Sequence, residues 1–228
     1  MELEGIRHHD AVTIQEGDAL LVVDMQNDFM PGGALAVEKG DAFVDQVNEL
    51  MAVFKEADLP IVFTQDWHPP DHLSFASRHP GKNPFDPFEA PGIGPVLWPD
   101  HTVQGTFGAE FHPRLDARFA EAVIRKGFHP SIDSYSGILE NDRATETGLD
   151  GYLRGRNVKR VFICGLAADY CVYFTAVDAA AKGYEVFYLS DLTYPVGSPP
   201  DSVQKAVDDM LRKGVRFIKH ASLRERMR

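Results

Sequence analysis

The chain has 228 residues, of which 44% are hydrophobic, and its 23 Lys and Arg against 34 Asp and Glu give a formal net charge of −11. This length and composition predict a single domain, residues 1–228, with a sizeable core. The acidic charge, without a Lys/Arg cluster, argues against nucleic acid and membrane surfaces as partners, because both require a basic footprint. No apolar run approaches the roughly 20 residues that span a bilayer.

Cellular location is indicated by the N-terminal residues and by cysteine usage. The first ten residues, MELEGIRHHD, are polar and lack the basic-then-apolar order of a secretion signal. Two cysteines, Cys164 and Cys171, are too few for a disulfide framework and fit a reducing compartment. We therefore expect a cytoplasmic protein.

Short apolar runs rich in β-branched and aromatic residues alternate with helical patterns along the chain. The predicted strands are residues 19–24, 60–66, 121–127, 160–165, 184–191 and 215–220. The predicted helices are residues 41–57, 171–183 and 201–214. Repeated strand–helix alternation predicts a doubly wound α/β fold in which right-handed crossovers join parallel strands.

Two long segments interrupt this alternation. Residues 67–114 are rich in proline, glycine, histidine and aromatic residues, and they are too long for an ordinary connection in a compact domain. We predict that this insertion helps to form the functional site. Residues 130–158 form a second, more polar insertion, and residues 1–18 form an N-terminal extension.

Chemically useful side chains stand at or just beyond the ends of several predicted strands. They are Asp24, Asp66, Lys126, Cys171 and Asp191. Ligands of open α/β sheets bind beyond the carboxyl ends of the strands. Core packing does not require charged residues there, so the pattern predicts a functional site along this edge of the sheet.

Cys171 follows the turn GLAADY and opens a predicted helix. A helix N-terminus lowers the pKa of a thiol, and its free N–H groups can bind an oxyanion. A buried core cysteine is the alternative, and Cys164 inside a strand fits that description. The carboxylate of Asp24 could accept the thiol proton and the ammonium of Lys126 could stabilise the resulting anion, so the three residues together favour nucleophilic catalysis.

Asp66 and His68 are two residues apart on an extended backbone, so their side chains point to the same side. A third metal ligand would come from the histidines of the long insertion. These are His72, His79, His101 and His112. Two histidines and one carboxylate suit zinc or iron with an open coordination position. Spacing alone leaves open the alternative that the loop is simply polar.

Five stretches carry a resemblance to a known family. They are LLVVDMQNDFMPGGALAV, TQDWHPPDHLSF, LWPDHTVQGTFGAEFHP, IRKGFHPSIDSYSGI and ICGLAADYCVYFTAVDA. Together, and in this order, they resemble the nicotinamidases, which are amidases of the isochorismatase-like cysteine hydrolase superfamily. The resemblance implies a three-layer αβα sandwich around a six-stranded parallel sheet.

The resemblance also implies a role for individual residues. The implied catalytic residues are Asp24, Lys126 and Cys171. The implied oxyanion hole consists of the backbone N–H groups of Ala167 and Cys171, with a cis peptide bond between Leu166 and Ala167. The implied metal ligands are Asp66, His68 and His101, with His72 nearby. The implied substrate pocket contains Phe29, Leu35, Trp98 and Tyr170.

The function implied by the resemblance is hydrolysis of nicotinamide to nicotinate and ammonia in NAD salvage, through a cysteine thioester. It further implies one divalent metal ion, with zinc ahead of iron and manganese, and it favours a homo-oligomer. Two enzymatic alternatives remain: a superfamily amidase that acts on a carbamoyl or acyclic amide, and a metal-dependent oxygenase, which would leave Cys171 and Lys126 without a role. A non-catalytic binding module is a third alternative.

Overall fold

The computed structural model describes residues 6–224, so the first five residues of the predicted N-terminal extension lie outside the described part of the chain. The strands are β1 (Val12–Thr13), β2 (Asp18–Val23), β3 (Ile61–Asp66), β4 (Ala122–Lys126), β5 (Arg160–Leu166), β6 (Glu185–Tyr194), β7 (Arg216–Ile218) and β8 (Leu223–Arg224). The α-helices are α1 (Val44–Glu56), α2 (Leu149–Gly155), α3 (Cys171–Ala181) and α4 (Ser202–Arg212). The 3₁₀-helices are Asn27–Phe29, Ala76–Arg78, Phe107–Ala109, Ala117–Phe119 and His220–Ser222.

Six strands form one parallel sheet in the order β4-β3-β2-β5-β6-β7. With helices packed on the sheet, the fold is the three-layer αβα sandwich that the sequence resemblance implies. The strand order reverses between β2 and β5, and such a reversal opens a crevice at the carboxyl ends of the two strands. Asp24 follows β2, and Cys171 follows β5 by a short turn.

The sheet is stabilised by the apolar strands that the sequence predicts. Every residue of β2 and β3 is buried. Aromatic rings extend the core across the sheet, because Phe162 of β5 packs edge-on against Phe54 of α1 at 5.5 Å and stacks on Phe187 of β6 at 4.7 Å. None of the helices in the described part of the chain combines the length and apolarity needed to cross a membrane.

The structure adds elements that the sequence pattern does not predict. The polar insertion 130–158 contains α2. Near the two ends of the described chain, β1 and β8 pair in parallel, with Val12 opposite Leu223 and Thr13 opposite Arg224. Two-residue strands are too short to show a periodic hydrophobic pattern, which explains why sequence analysis missed them.

Gly165 allows β5 to approach β2 closely next to the crevice. Its φ is +115°, and it lies opposite Val23 in the sheet. A Cβ atom on Gly165 would collide with the backbone oxygen of Val23 and would lie 2.7 Å from its nitrogen. Only glycine fits this backbone conformation and this spacing.

We therefore predict that Gly165→Ala lowers the free energy of unfolding by about 1–3 kcal/mol, because both the positive φ and the crowding oppose a side chain. Gly155→Ala is the matched control, since a Cβ there meets no atom within 4 Å. Denaturant unfolding monitored by circular dichroism measures both variants. Equal stability of the two variants would contradict the prediction.

Candidate active site

The three residues predicted as catalytic meet at the carboxyl edge of the sheet, and all three are buried. The ammonium nitrogen of Lys126 lies 2.8 Å from Asp24 Oδ2 and 3.5 Å from Cys171 Sγ. It also lies 2.5 Å from Asp66 Oδ1 and donates a hydrogen bond to the carbonyl of Ser134 at 2.7 Å. One buried cation therefore links the thiol to two carboxylates.

Asp24 is held in place by Thr64, an inward-facing residue of β3. The Thr64 hydroxyl donates to Asp24 Oδ1 at 2.6 Å, and the Asp24 N–H approaches the same hydroxyl oxygen at 3.2 Å. Sequence analysis did not identify Thr64. A buried hydroxyl within an apolar strand is the signal that could have found it, because such a group requires a polar partner.

The electrostatics of the site differ from the sequence expectation for the nucleophile. Burial raises the pKa of the Cys171 thiol well above its usual range; Lys126 opposes this shift and Asp24 adds to it. The expected lowering of the thiol pKa at a helix N-terminus is therefore wrong, because burial, together with the charges of Asp24 and Asp66, outweighs the effect of Lys126. A proton acceptor is needed to form the thiolate.

Asp24 and Lys126 have pKa values consistent with that need. Burial raises the pKa of Asp24, although Lys126 opposes the shift. Burial alone would lower the pKa of Lys126, but the charges of Asp24 and Asp66 raise it well above its usual range. Lys126 thus stays charged, and Asp24 is a stronger base than an ordinary aspartate.

The three predicted metal ligands, Asp66, His68 and His101, also converge and form the metal group. Asp66 Oδ2 lies 3.5 Å from His68 Nε2 and 3.8 Å from His101 Nε2. His68 Nδ1 contacts the carbonyl of Gly127 at 2.7 Å, and His101 Nδ1 contacts that of Pro99 at 2.8 Å. Since a carbonyl only accepts, each Nδ1 must donate, so each Nε2 faces Asp66. Burial alone would lower the pKa of His68, but the carboxylates of Asp66 and Asp133 raise it, so a proton and a metal ion compete for its Nε2.

The donor set fits a divalent metal ion. Among residues 6–224, the buried His68 Nε2 has no hydrogen-bond partner, and the ligand atoms of the three residues lie within 4.8 Å of one another. Burial lowers the pKa of His101 to about 4, so its ring is in the neutral, metal-binding form. Asp66 Oδ2 faces the histidines and Asp66 Oδ1 faces the ammonium of Lys126. This one carboxylate therefore joins the metal ligands to the catalytic residues.

His72 lies beside this group without pointing into it. Its ring is 4.2 Å from that of His68. Its Nδ1 contacts the Ser74 hydroxyl at 2.7 Å, and its Nε2 contacts the carbonyl of Ile132 at 3.2 Å. Both ring nitrogens are therefore engaged, in agreement with the expectation that His72 is a neighbour of the metal group. His79 is engaged elsewhere, with Nε2 at 2.8 Å from the carbonyl of Leu73.

The four predicted pocket residues are buried, and two of their aromatic members, Phe29 and Trp98, contact His101. Phe29 contacts His101 edge-on at 5.6 Å, and Trp98 contacts Tyr170 edge-on at 4.8 Å. Leu35 lies on the loop after Phe29, where its N–H donates to the carbonyl of Asp28 at 3.0 Å.

Tyr135 is a wall residue that sequence analysis missed. Its ring contacts Tyr170 at 5.2 Å, and its hydroxyl accepts a hydrogen bond from Trp98 Nε1 at 3.1 Å. The same hydroxyl donates to the carbonyl of Gly94 at 2.8 Å. Tyr135 lies in the polar insertion 130–158. The composition of that insertion predicts a surface loop, so the sequence gives no sign that Tyr135 is buried.

The turn before Cys171 has the geometry that the resemblance implies. The Leu166–Ala167 peptide bond is cis. The carbonyl of Ala167 accepts from the N–H groups of Tyr170 and Val172, both at 3.1 Å. In the described part of the chain, the N–H groups of Ala167 and Cys171 have no hydrogen-bond acceptor, so they are available to an oxyanion.

The amino-acid sequence matches the family model for the isochorismatase domain over residues 18–222. The chain belongs to the isochorismatase family. The nicotinamidase of Acinetobacter baylyi is 48% identical over 200 residues, which cover 88% of this chain and 91% of the relative.

Solved structures of the family agree with this placement. The nicotinamidase pyrazinamidase of Acinetobacter baumannii superposes with a TM-score of 0.86 at 43% identity, covering 91% of this chain and 98% of its own. The pyrazinamidase of Pyrococcus horikoshii in complex with zinc has a TM-score of 0.72 at 40% identity, covering 89% and 99%. The resemblance to nicotinamidases inferred from the five stretches is thereby confirmed.

A second buried acid lies near this isochorismatase-family site. Glu140 is 1% exposed, and in the described residues neither of its carboxyl oxygens has a hydrogen-bond partner. Burial, reinforced by Asp142, raises the pKa of Glu140 to about 7. The charged form is therefore disfavoured in the folded protein relative to the unfolded chain.

We predict that Glu140 destabilises the fold as the pH rises. Because its folded pKa of about 7 exceeds its unfolded value, the penalty is absent below about pH 4.5 and complete above about pH 7. Glu140→Gln should therefore be more stable relative to wild type at pH 8.5 than at pH 5, by no more than about 3 kcal/mol. Denaturant unfolding at the two pH values measures this difference, and a pH-independent difference would contradict the prediction.

We also predict that Cys171 reacts with iodoacetamide before Cys164 does. Lys126 stabilises the Cys171 thiolate, whereas Cys164 is fully buried in β5 and burial raises its thiol pKa without a cationic neighbour to oppose the shift. Peptide mass spectrometry identifies the labelled residue. Cys164→Ala should keep the fast labelling and Cys171→Ala should lose it; labelling confined to Cys164 would contradict the assignment.

Proposed function

We propose that this protein hydrolyses nicotinamide to nicotinate and ammonia through a thioester on Cys171, and that it acts in NAD salvage. The observation that carries the proposal is the contact of the Lys126 ammonium with Cys171, Asp24 and Asp66 at once. Nucleophile, base and metal group thus form one connected site. The identity to nicotinamidases supports the choice of a small-molecule amide as substrate.

In the first half-reaction, Asp24 takes the proton of the Cys171 thiol and the thiolate attacks the amide carbon. The N–H groups of Ala167 and Cys171 hold the oxyanion of the tetrahedral intermediate. Lys126 compensates the negative charge that moves between carboxylate and sulfur. Asp24 returns the proton to the leaving nitrogen, ammonia departs and the thioester remains.

In the second half-reaction, Asp24 removes a proton from water, which attacks the thioester carbon. The same two N–H groups hold the second oxyanion. Collapse breaks the carbon–sulfur bond, Cys171 regains the proton from Asp24, and the product leaves as nicotinate after its carboxyl group has lost the remaining proton of the water to solvent. Because Asp24 transfers a proton in both halves, its burial and its hydrogen bond from Thr64 serve both steps.

Asp66, His68 and His101 would hold one divalent metal ion, with zinc favoured over iron and manganese by two imidazoles and one carboxylate. The zinc complex of the related pyrazinamidase supports this choice. When bound, the ion supplies a coordination position for the pyridine nitrogen and so orients the ring. Phe29 and Trp98 would hold the two faces of that ring.

The remaining features are proposals from the sequence. We propose one domain, residues 1–228, in which the insertion 67–114 forms part of the site, and this is supported by the position of Trp98 and His101 within it. A cytoplasmic location and a homo-oligomer also stay proposals.

The proposed function is tested by ammonia release from nicotinamide with and without a chelator. We expect activity that the chelator abolishes and zinc restores. Hydrolysis of a carbamoyl or acyclic amide without hydrolysis of nicotinamide would favour the other superfamily amidases. Activity on nicotinamide that survives complete metal removal would overturn the metal assignment.

We predict that Asp24→Asn lowers kcat by at least about 100-fold, because the amide cannot accept the thiol proton. Asn keeps the size of the side chain and can still accept from Thr64, so the fold is preserved. Steady-state kinetics and near-ultraviolet circular dichroism measure the two effects. Asp45→Asn, which removes an exposed carboxylate of α1, is the control and should leave kcat unchanged. Near-normal turnover of Asp24→Asn would refute the general-base role.

We predict that His101→Ala loses most of the bound metal and raises the KM for nicotinamide by about tenfold or more, because one of three protein ligands is removed. His72→Ala should retain its metal, since both ring nitrogens of His72 are engaged by protein groups. Elemental analysis and kinetics measure both variants. Equal metal loss in both would place His72 among the ligands.

A further inference from the structure

Asp133 faces the metal group from the loop between β4 and α2. Its side chain is buried, and its Oδ1 lies 3.8 Å from His68 Nε2. This separation equals that between His101 Nε2 and Asp66 Oδ2 within the proposed ligand set. Ligand atoms of Asp133, His68 and His72 also lie within 4.8 Å of one another. Asp133 is therefore as near to the His68 nitrogen as the proposed ligands are to each other.

The Asp133 carboxylate is buried, but only one of its two oxygens has a hydrogen-bond partner among the described residues. Its Oδ1 accepts from the N–H of Ser134 at 2.8 Å, but among residues 6–224 its Oδ2 has no hydrogen-bond partner. Burial of an incompletely paired carboxylate is unfavourable unless a cation neutralises it. His68 Nε2, which lies 3.8 Å from Asp133 Oδ1, likewise lacks a hydrogen-bond partner among these residues. A cation between them would satisfy both groups.

The backbone fixes Asp133 in this position. Its N–H donates to the carbonyl of Gly92 and its own carbonyl accepts from the N–H of Asn141, both at 2.8 Å. On either side of it, the carbonyl of Ile132 contacts His72 and that of Ser134 contacts Lys126. The residues before and after Asp133 thus contact His72, the neighbour of the metal group, and the catalytic lysine, so the location of Asp133 is set by the site.

Charge balance gives Asp133 a role that Asp66 alone cannot fill. Asp66 shares its negative charge with Lys126, whose ammonium lies 2.5 Å from Oδ1. A divalent ion beside Asp66 would therefore be incompletely neutralised by that carboxylate. Asp133 has no lysine or arginine ion pair among the described residues, so its charge is available to the ion.

We infer that Asp133 is a fourth protein group of the metal site and that its carboxylate holds the divalent ion, either directly or through one water molecule. The inference rests on the proposed metal site of Asp66, His68 and His101. It assigns retention of the ion, rather than proton transfer, to Asp133.

The test is zinc affinity of the chelator-treated, full-length protein, measured by competition with a chromophoric chelator. Asp133→Asn removes the charge and keeps the oxygen that accepts from Ser134. We expect its zinc affinity to fall about 10–100-fold, the usual effect of losing a supporting metal-site residue. The rise in melting temperature on adding zinc should shrink correspondingly.

Asp100→Asn is the matched control, because Asp100 precedes His101 but is exposed and engaged by Ser77 and Arg78. Its zinc affinity should stay within about twofold of wild type, a difference well below 1 kcal/mol. Zinc affinity of Asp133→Asn within the same range would overturn the inference. Absence of zinc binding by the wild-type protein would instead refute the proposed metal site.

A measurement on the unmodified protein decides the question even if Asp133→Asn does not fold. Anomalous diffraction from zinc-loaded crystals locates the ion. We expect an Asp133 carboxylate oxygen within about 5 Å of it, the sum of a zinc–water bond and one hydrogen bond. A longer separation would overturn the inference.

Discussion

The buried ammonium of Lys126 is the interaction on which the rest of the site depends. It lies between the carboxylates of Asp24 and Asp66 and contacts the sulfur of Cys171. Two carboxylates and a thiol so close together in a dry interior would strongly disfavour ionisation of any one of them. A permanent positive charge between them allows negative charge to move from carboxylate to sulfur while the net charge of the buried cluster stays the same. The side chain of Lys126 thus connects the proposed nucleophile to the carboxylate of the proposed metal site.

The sheet supplies the geometry that this cation requires. Asp24 follows β2, Lys126 ends β4 and Cys171 follows β5 by a short turn, and parallel strands bring their carboxyl ends to one edge. The strand order reverses between β2 and β5, which separates the crossover loops and leaves a crevice above them. The long insertion 67–114 and the loop after β4 cover that crevice. The insertion contributes Trp98 and His101, and the loop after β4 contributes Tyr135. The sheet and the turns that follow its strands contribute the groups proposed to react.

Much of the fold and site could be predicted from the sequence, and the misses share a physical cause. Apolar runs predict the six strands of the parallel sheet, and charged residues at strand exits indicate Asp24 and Lys126. Thr64 and Tyr135 were missed because their roles arise from partners far away in the chain. Local patterns of hydrophobicity contain no information about which distant hydroxyl or ring a residue will contact.

By itself, the sequence determined the α/β class and the parallel sheet, which depend on local periodicity, and it indicated the family through the resemblance of five motifs. It also proposed the reacting groups, from the residue types at the strand ends. Only the tertiary structure decided their protonation and orientation. The thiol pKa of Cys171 is raised rather than lowered because burial outweighs the effect of the Lys126 charge. The two imidazoles present Nε2 because distant carbonyls accept from Nδ1. Desolvation and hydrogen-bond direction are set by the packed surroundings of a group, which exist only after the chain has folded.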